Sequence, residues 1–169
     1  MMVEVVVETL AVDQKNQSPV VILKDAMGER KIPIWIGHPE ASVIAMELAG
    51  RKFPRPLTHD LIASMLKGLS VRVQRVEISD LEENTFYAKI HLERDGEILC
   101  IDARPSDSIA IALKTKAKIY ADAKLFSGEI DSLLAGAGTA SNGTEAQRAE
   151  DLREFIENLD PKDFGKFRF

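Results

Sequence analysis

The chain has 169 residues, 45% hydrophobic and 29% charged, with 27 acidic against 22 basic side chains and a net charge of −5. That length supports one domain with a good core and a short appendage. The acidic balance excludes a global basic field that would draw the protein onto a polyanion, so any nucleic-acid contact must come from a local basic patch. The single cysteine, Cys100, excludes an intrachain disulfide, and its place in an alternating strand predicts a small half-buried side chain. The opening MMVEVVVETL lacks a basic leader region, and no apolar run reaches the ~18 residues of a membrane span. A cytoplasmic protein without membrane contact is expected.

In chain order, Val3–Val12 is rich in β-branched residues and predicts a first strand, with Pro19–Lys24 as a second. Asp25-Ala26-Met27-Gly28 is a turn signal before a strand over Arg30–Ile36. Pro39–Gly50 reads as a helix, with Pro39 at its first position, Glu40 complementing the positive end and Gly50 closing it. Two prolines in Arg51–Pro56 force a loop, and a second helix runs from Thr58, as N-cap, to about Leu69. Val71–Ser79, Thr85–Glu93 and Glu97–Ala103 alternate as strands, the last two joined by a tight Asp95-Gly96 hairpin. A helix over Pro105–Thr115 and a short strand over Lys118–Ala121 follow.

Seven strands and three helices, mixing hairpins with strand–helix–strand crossovers, predict an α+β fold: a mixed sheet with helices packed on it. IPIWIGHPE before one helix and ILCIDARPSD before another repeat a strand–Pro–acid–helix plan, which predicts an internal duplication of a strand–helix–strand unit. The expected organisation is a domain over residues 1–126, a small-residue linker over 127–144, and an amphipathic helix with an aromatic tail over 145–169.

The chain contains no H-E-x-x-H, C-x-x-C, G-x-S-x-G, Walker-type or dinucleotide-binding glycine motif, and its three histidines are scattered. Three polar constellations remain. Arg51, Lys52 and Arg55 either bind phosphate or complement the negative end of the preceding helix. Thr58-His59-Asp60 offers a histidine beside a carboxylate, either an acid–base pair or an ordinary helix start. Asp102, Arg104, Ser106, Asp107 and Ser108 crowd a strand-to-helix joint with more polar groups than one cap needs. Metal-assisted phosphodiester cleavage needs carboxylates converging from different segments, and the candidates are Glu40, Asp60, Asp102 and Asp107.

The same residues carry a resemblance. Ile32–Gly37, Glu40-Ala41, Ile44-Ala45, Gly50–Leu61, Asp80–Ala88 and Asp102–Leu113, in that order, resemble the bifunctional nuclease domain family over about residues 3–126. The resemblance implies DNase and RNase activity. On that basis the expected function is hydrolysis of phosphodiester bonds in DNA or RNA, assisted by Mg2+ or Mn2+. His59, Asp60 and Asp107 would serve catalysis. Arg51, Lys52, Arg55, Arg104 and Ser106 would hold the nucleic acid, and Glu40, Asp102 and Asp107 the cation. The alternative is a non-catalytic oligomeric module that recognises a small anion or a protein partner. A homo-oligomer, with a dimer favoured, is expected in either case.

Overall fold

The computed structural model describes residues 1–126 other than Gln14 and Asn16, and the isolated positions Arg153 and Glu157. The expected linker and C-terminal helix therefore lie outside the described residues, apart from Arg153 and Glu157, which are helical and ion-paired at 3.0 Å.

Every strand and helix read from the sequence over residues 1–126 is present. The strands are β1 (Met2–Val12), β2 (Pro19–Asp25), β3 (Lys31–Trp35), β4 (Arg72–Glu82), β5 (Thr85–Arg94), β6 (Glu97–Ala103) and β7 (Lys118–Asp122). The helices are α1 (His38–Leu48), α2 (Thr58–Gly68) and α3 (Pro105–Thr115), and a 3-10 turn spans Ala123–Phe126. One mixed seven-stranded sheet runs β3-β2-β1-β7-β4-β5-β6, antiparallel throughout except where β4 and β7 pair in parallel. The fold is α+β, with all three helices packed on the sheet. Among the described residues no helix is long and apolar enough to span a membrane.

Local chemistry sets the hairpins. Glu83 and Asn84 link β4 to β5 with φ of 46° and 62°, and Asp95 and Gly96 link β5 to β6 with φ of 53° and 83°. Two consecutive positive φ values make a type I′ turn, whose twist matches that of the strands it joins. β1–β2–β3 is a meander whose edge strand feeds α1, and β4–β5–β6 is a meander whose edge strand feeds α3. The halves share this arrangement, and the arrangement alone does not establish a duplication.

The core is aliphatic and lies between sheet and helices. Ile44 and Ala45 of α1, Ile109, Ala110 and Ala112 of α3, and Leu23, Ile34, Val76, Ile78 and Ala88 of the sheet are all nearly or wholly inaccessible. α3 is the most enclosed helix and α2 the least: His59 is the buried residue of α2, whereas Leu61, Met65 and Leu69 are exposed. The two edges of the sheet also differ. β3 is buried at Ile32, Pro33 and Ile34, but β6 has no buried residue. Cys100 on β6 is therefore exposed, not half-buried: strand alternation implies one covered face, and among the described residues no element covers either face of β6 there.

Candidate functional site

Helices α1 and α3 meet at both their ends, and the start of α2 packs against α3. At the start of α1, Glu40 Oε1 lies 2.9 Å from Arg104 Nη2, and Arg104 is the N-cap of α3. At the start of α2, His59 Nε2 lies 3.0 Å from Oδ1 of Asp107 in the first turn of α3. Near the other ends, Lys114 of α3 reaches Glu47 of α1 at 3.0 Å. The N-termini of all three helices thus open on one groove of about 690 Å3, lined by Pro39, Glu40, Leu57, His59, Arg104 and Asp107 among others.

Each N-terminus arises from its sequence. α1 and α3 both begin with proline in the first turn, where the missing N–H costs nothing. Neither has a side-chain N-cap bond, so first-turn N–H groups are left to other partners. α2 starts one residue earlier than its threonine suggested: Leu57 is the N-cap and Thr58 the first helical residue. Asp60 supplies the cap, with its Oδ2 accepting from Leu57 N at 2.9 Å. A helix N-terminus carries roughly +0.5 of an elementary charge, so three of them make the groove electropositive.

The side chains in the groove hold one another. Asp107 Oδ2 accepts from Arg104 Nε at 2.7 Å, and its Oδ1 accepts from Arg104 Nη2 at 3.1 Å and from His59 Nε2. An ionised carboxylate only accepts, so the His59 proton toward Asp107 is assigned to Nε2. Burial raises the pKa of Asp107, but the bonds from Arg104 and His59 outweigh it and hold the carboxyl below its ordinary value. The bonds and charge of Asp107, with those of Glu40, raise Arg104 further. His59 is 8% exposed, and its other nitrogen, Nδ1, is buried and has no hydrogen-bond partner among the described residues. Arg104 is two-thirds exposed and presents its guanidinium to the groove.

Gly37, before α1, makes room for this cluster. A Cβ there would fall against the Glu40 carboxylate, which folds back over the helix start. Its φ of −74° is open to any residue, so the glycine answers to space and not to backbone conformation.

The structure sorts the residues read from the sequence. His59, Arg104, Asp107 and Glu40 come together. Asp60 faces a second groove, and both its oxygens are engaged: one by Leu57 N, the other by Lys114 Nζ at 2.6 Å. Arg51 and Lys52 line that second groove, and Arg55 is exposed outside the lining of either. Ser106 is buried within α3. Asp102 is exposed on β6 opposite Lys89 of β5 and is not part of the His59 groove.

The expected cation set of Glu40, Asp102 and Asp107 is therefore not assembled, and among the described residues no group of three or more His, Cys, Asp and Glu is arranged for a metal ion. Glu40 and Asp107 instead share the Arg104 guanidinium. The donor set in this arrangement does not fit a divalent cation.

Sequence reasoning missed Lys114 and Gly37. A lysine with 8% of its side chain accessible, tying α1 to α2, reads in sequence as an ordinary helix-surface residue. Burial lowers its pKa, but hydrogen bonds to Asp60 and Glu47 raise it above the usual value.

Known proteins place this chain in a family. Over 95% of its length the chain is 38% identical to an uncharacterized protein of Mycobacterium tuberculosis strain H37Rv, covering 97% of that protein. Over 67% of its length it is 22% identical to Bifunctional nuclease 1 of Oryza sativa subsp. indica and to Bifunctional nuclease of Oryza minuta, covering 35% of each. Residues 21–130 match the family model of the bifunctional nuclease domain, and with that span the chain belongs to the bifunctional nuclease domain family.

Proposed function

We propose that the chain is a nuclease that cleaves phosphodiester bonds in the groove at the three helix N-termini. The observation that carries this reading is the convergence of three positive helix ends on the exposed guanidinium of Arg104. Phosphoryl transfer asks mainly for positioning and for stabilisation of negative charge on the non-bridging oxygens. Arg104 and the first-turn N–H groups supply both. The names of the plant relatives agree with this chemistry.

The roles follow from which atoms are free. Arg104 is aimed by Asp107, and Asp107 is held by His59, so both are positioning residues. His59 is a poor proton acceptor for substrate in this geometry, because one nitrogen is committed and the other sealed. Glu40 gives Oε1 to Arg104, and its Oε2, which lies over Gly37, would accept the proton of an attacking water while the leaving oxygen takes one from solvent.

The closed set of Asp107, His59 and Arg104 bonds favours one other reading, a cradle that binds an anion without turnover. Cleavage of labelled single-stranded DNA and RNA, with Mg2+, with Mn2+ and with chelator, separates the two. A nuclease loses about 100-fold or more in rate in Arg104→Ala, the scale of losing one oxyanion donor. Cleavage unchanged in that variant would expose a contaminant, and anion binding without cleavage under all three conditions would establish the cradle.

A further inference from the structure

A second and larger groove, of about 900 Å3, runs between α1 and α2 toward their C-terminal ends. It shares Val43, Pro56 and Leu57 with the groove at the N-termini, so the two are continuous. In a protein with a net charge of −5, this cleft has the opposite sign: its lining holds Arg51, Lys52, Lys67, Arg72, Lys114 and Lys116 against only Glu47 and Asp60.

Helix C-termini are negative, and cations gathered there have an ordinary explanation. Lys114 meets it: its buried ammonium is bound by both acids of the cleft. Arg72 is paired with Glu93. Arg51, Lys52, Lys67 and Lys116 remain exposed, and among the described residues none of their side chains has an ion-pair partner. Beside these cations, half-buried Phe53 and Leu57 with Pro54 and Pro56 form an apolar wall. Cations next to an aromatic and apolar surface suit a chain with exposed phosphates and exposed bases.

We propose that this cleft is the track along which the backbone of a single-stranded nucleic acid reaches Arg104. The assignment rests on the phosphodiester reading of the Arg104 groove, and it adds Lys67 and Lys116 to Arg51 and Lys52 as phosphate contacts. α1 and α2 have 11 residues each, so the track is about 16 Å long at ~1.5 Å per residue. That is enough for a few nucleotides beyond the reacting phosphate.

The test is fluorescence anisotropy of a labelled phosphorothioate oligothymidylate, which resists cleavage, titrated with the full chain over a salt series. Wild type is compared with the triple variant Lys52→Gln/Lys67→Gln/Lys116→Asn, and with Lys89→Gln, which removes an exposed cation on β5. Asn suits position 116 because Lys116 has φ of +57°. The triple variant is expected to bind at least ~10-fold more weakly at low salt, with the log–log salt slope shallower by ~2, from ~0.7 per lost phosphate contact. Lys89→Gln is expected to match wild type.

An unchanged Kd and slope in a folded triple variant would overturn the proposal, as would preference for duplex over single strand. Salt-sensitive binding by a wild type that cleaves nothing leaves the track standing and removes the nuclease. Cleavage and binding both untouched in the triple variant removes the track and leaves the nuclease.

Discussion

Glu40 Oε1 and Arg104 Nη2 stand 2.9 Å apart, joining the starts of two helices from different halves of the chain. This contact needs Gly37, because a methyl group there would meet the Glu40 carboxylate. Gly37→Ala should push Glu40 from Arg104 without straining the backbone, whose φ is −74°. Thermal stability is expected to change by no more than ~0.5 kcal/mol, as for other surface substitutions, while the rate of cleavage falls with that of Glu40→Gln. Full activity in a folded Gly37→Ala protein would show that Glu40 does not serve the reaction.

Lys114 should matter more to stability than a helix-surface lysine does. Its ammonium is 2.6 Å from Asp60 and 3.0 Å from Glu47, and Asp60 also caps α2. Removing a buried partner leaves charges stranded, at ~3–5 kcal/mol when both sides are buried. Here about a third of each acid is exposed, which cuts the expected cost of Lys114→Met to about 2 kcal/mol. Urea denaturation measures it, with Lys118→Met as an exposed control on β7. A loss under ~0.5 kcal/mol would place Lys114 among ordinary surface charges.

The elements were legible in the sequence because their signals are local. β-branched alternation marks the strands, Asp95-Gly96 a type I′ turn, and Pro39 and Pro105 the starts of helices. The site was only partly legible. His59, Arg104 and Asp107 stood out as polar groups at helix starts, but their convergence depends on β7 inserting beside β4 and bringing α3 between the other helices, a long-range outcome. Asp60 looked the same as Asp107 in sequence. What separates them is the partner: Lys114 and a backbone N–H take Asp60, while Arg104 and His59 take Asp107. Where the basic loop faces was illegible for a related reason. Arg51 and Lys52 line the second groove, with Lys67 and Lys116, and not the groove of His59.

The pKa shifts give a pH dependence whose sign can be worked out. The carboxyls of Asp107 and Asp60 are held below their ordinary value in the folded protein. Their stabilisation is therefore complete above ~pH 3.9, the ordinary aspartate value, and is lost as pH falls through the lower folded values. Lys114 is raised, so its share is complete below ~pH 10.4 and is lost as pH rises through the higher folded value. Stability owed to these groups should be flat between those limits. Asp107→Asn removes one acid-titrating group, so the acid limb of the urea midpoint against pH should become shallower than in wild type, with the alkaline limb unchanged. Identical acid limbs would mean that Asp107 contributes nothing to the acid transition.

The two edges of the sheet predict how the one thiol behaves. Edge strands that stay unpaired are usually blunted by proline, lysine or a covering element. β3 has Lys31 and Pro33, and the 3-10 turn at Ala123–Phe126 packs beside it. Among the described residues β6 has none of these, and Ile98, Leu99 and Ile101 on it are each about half exposed. Cys100, opposite His91 of β5, lies in the middle of that bare strand. In a dilute monomer it should react with a thiol reagent under native conditions at nearly the rate of the urea-unfolded chain, with one equivalent consumed per chain. Strong protection that rises with protein concentration and vanishes on dilution would show instead that β6 is covered by another copy in solution. Protection independent of concentration would place a segment of the same chain over it.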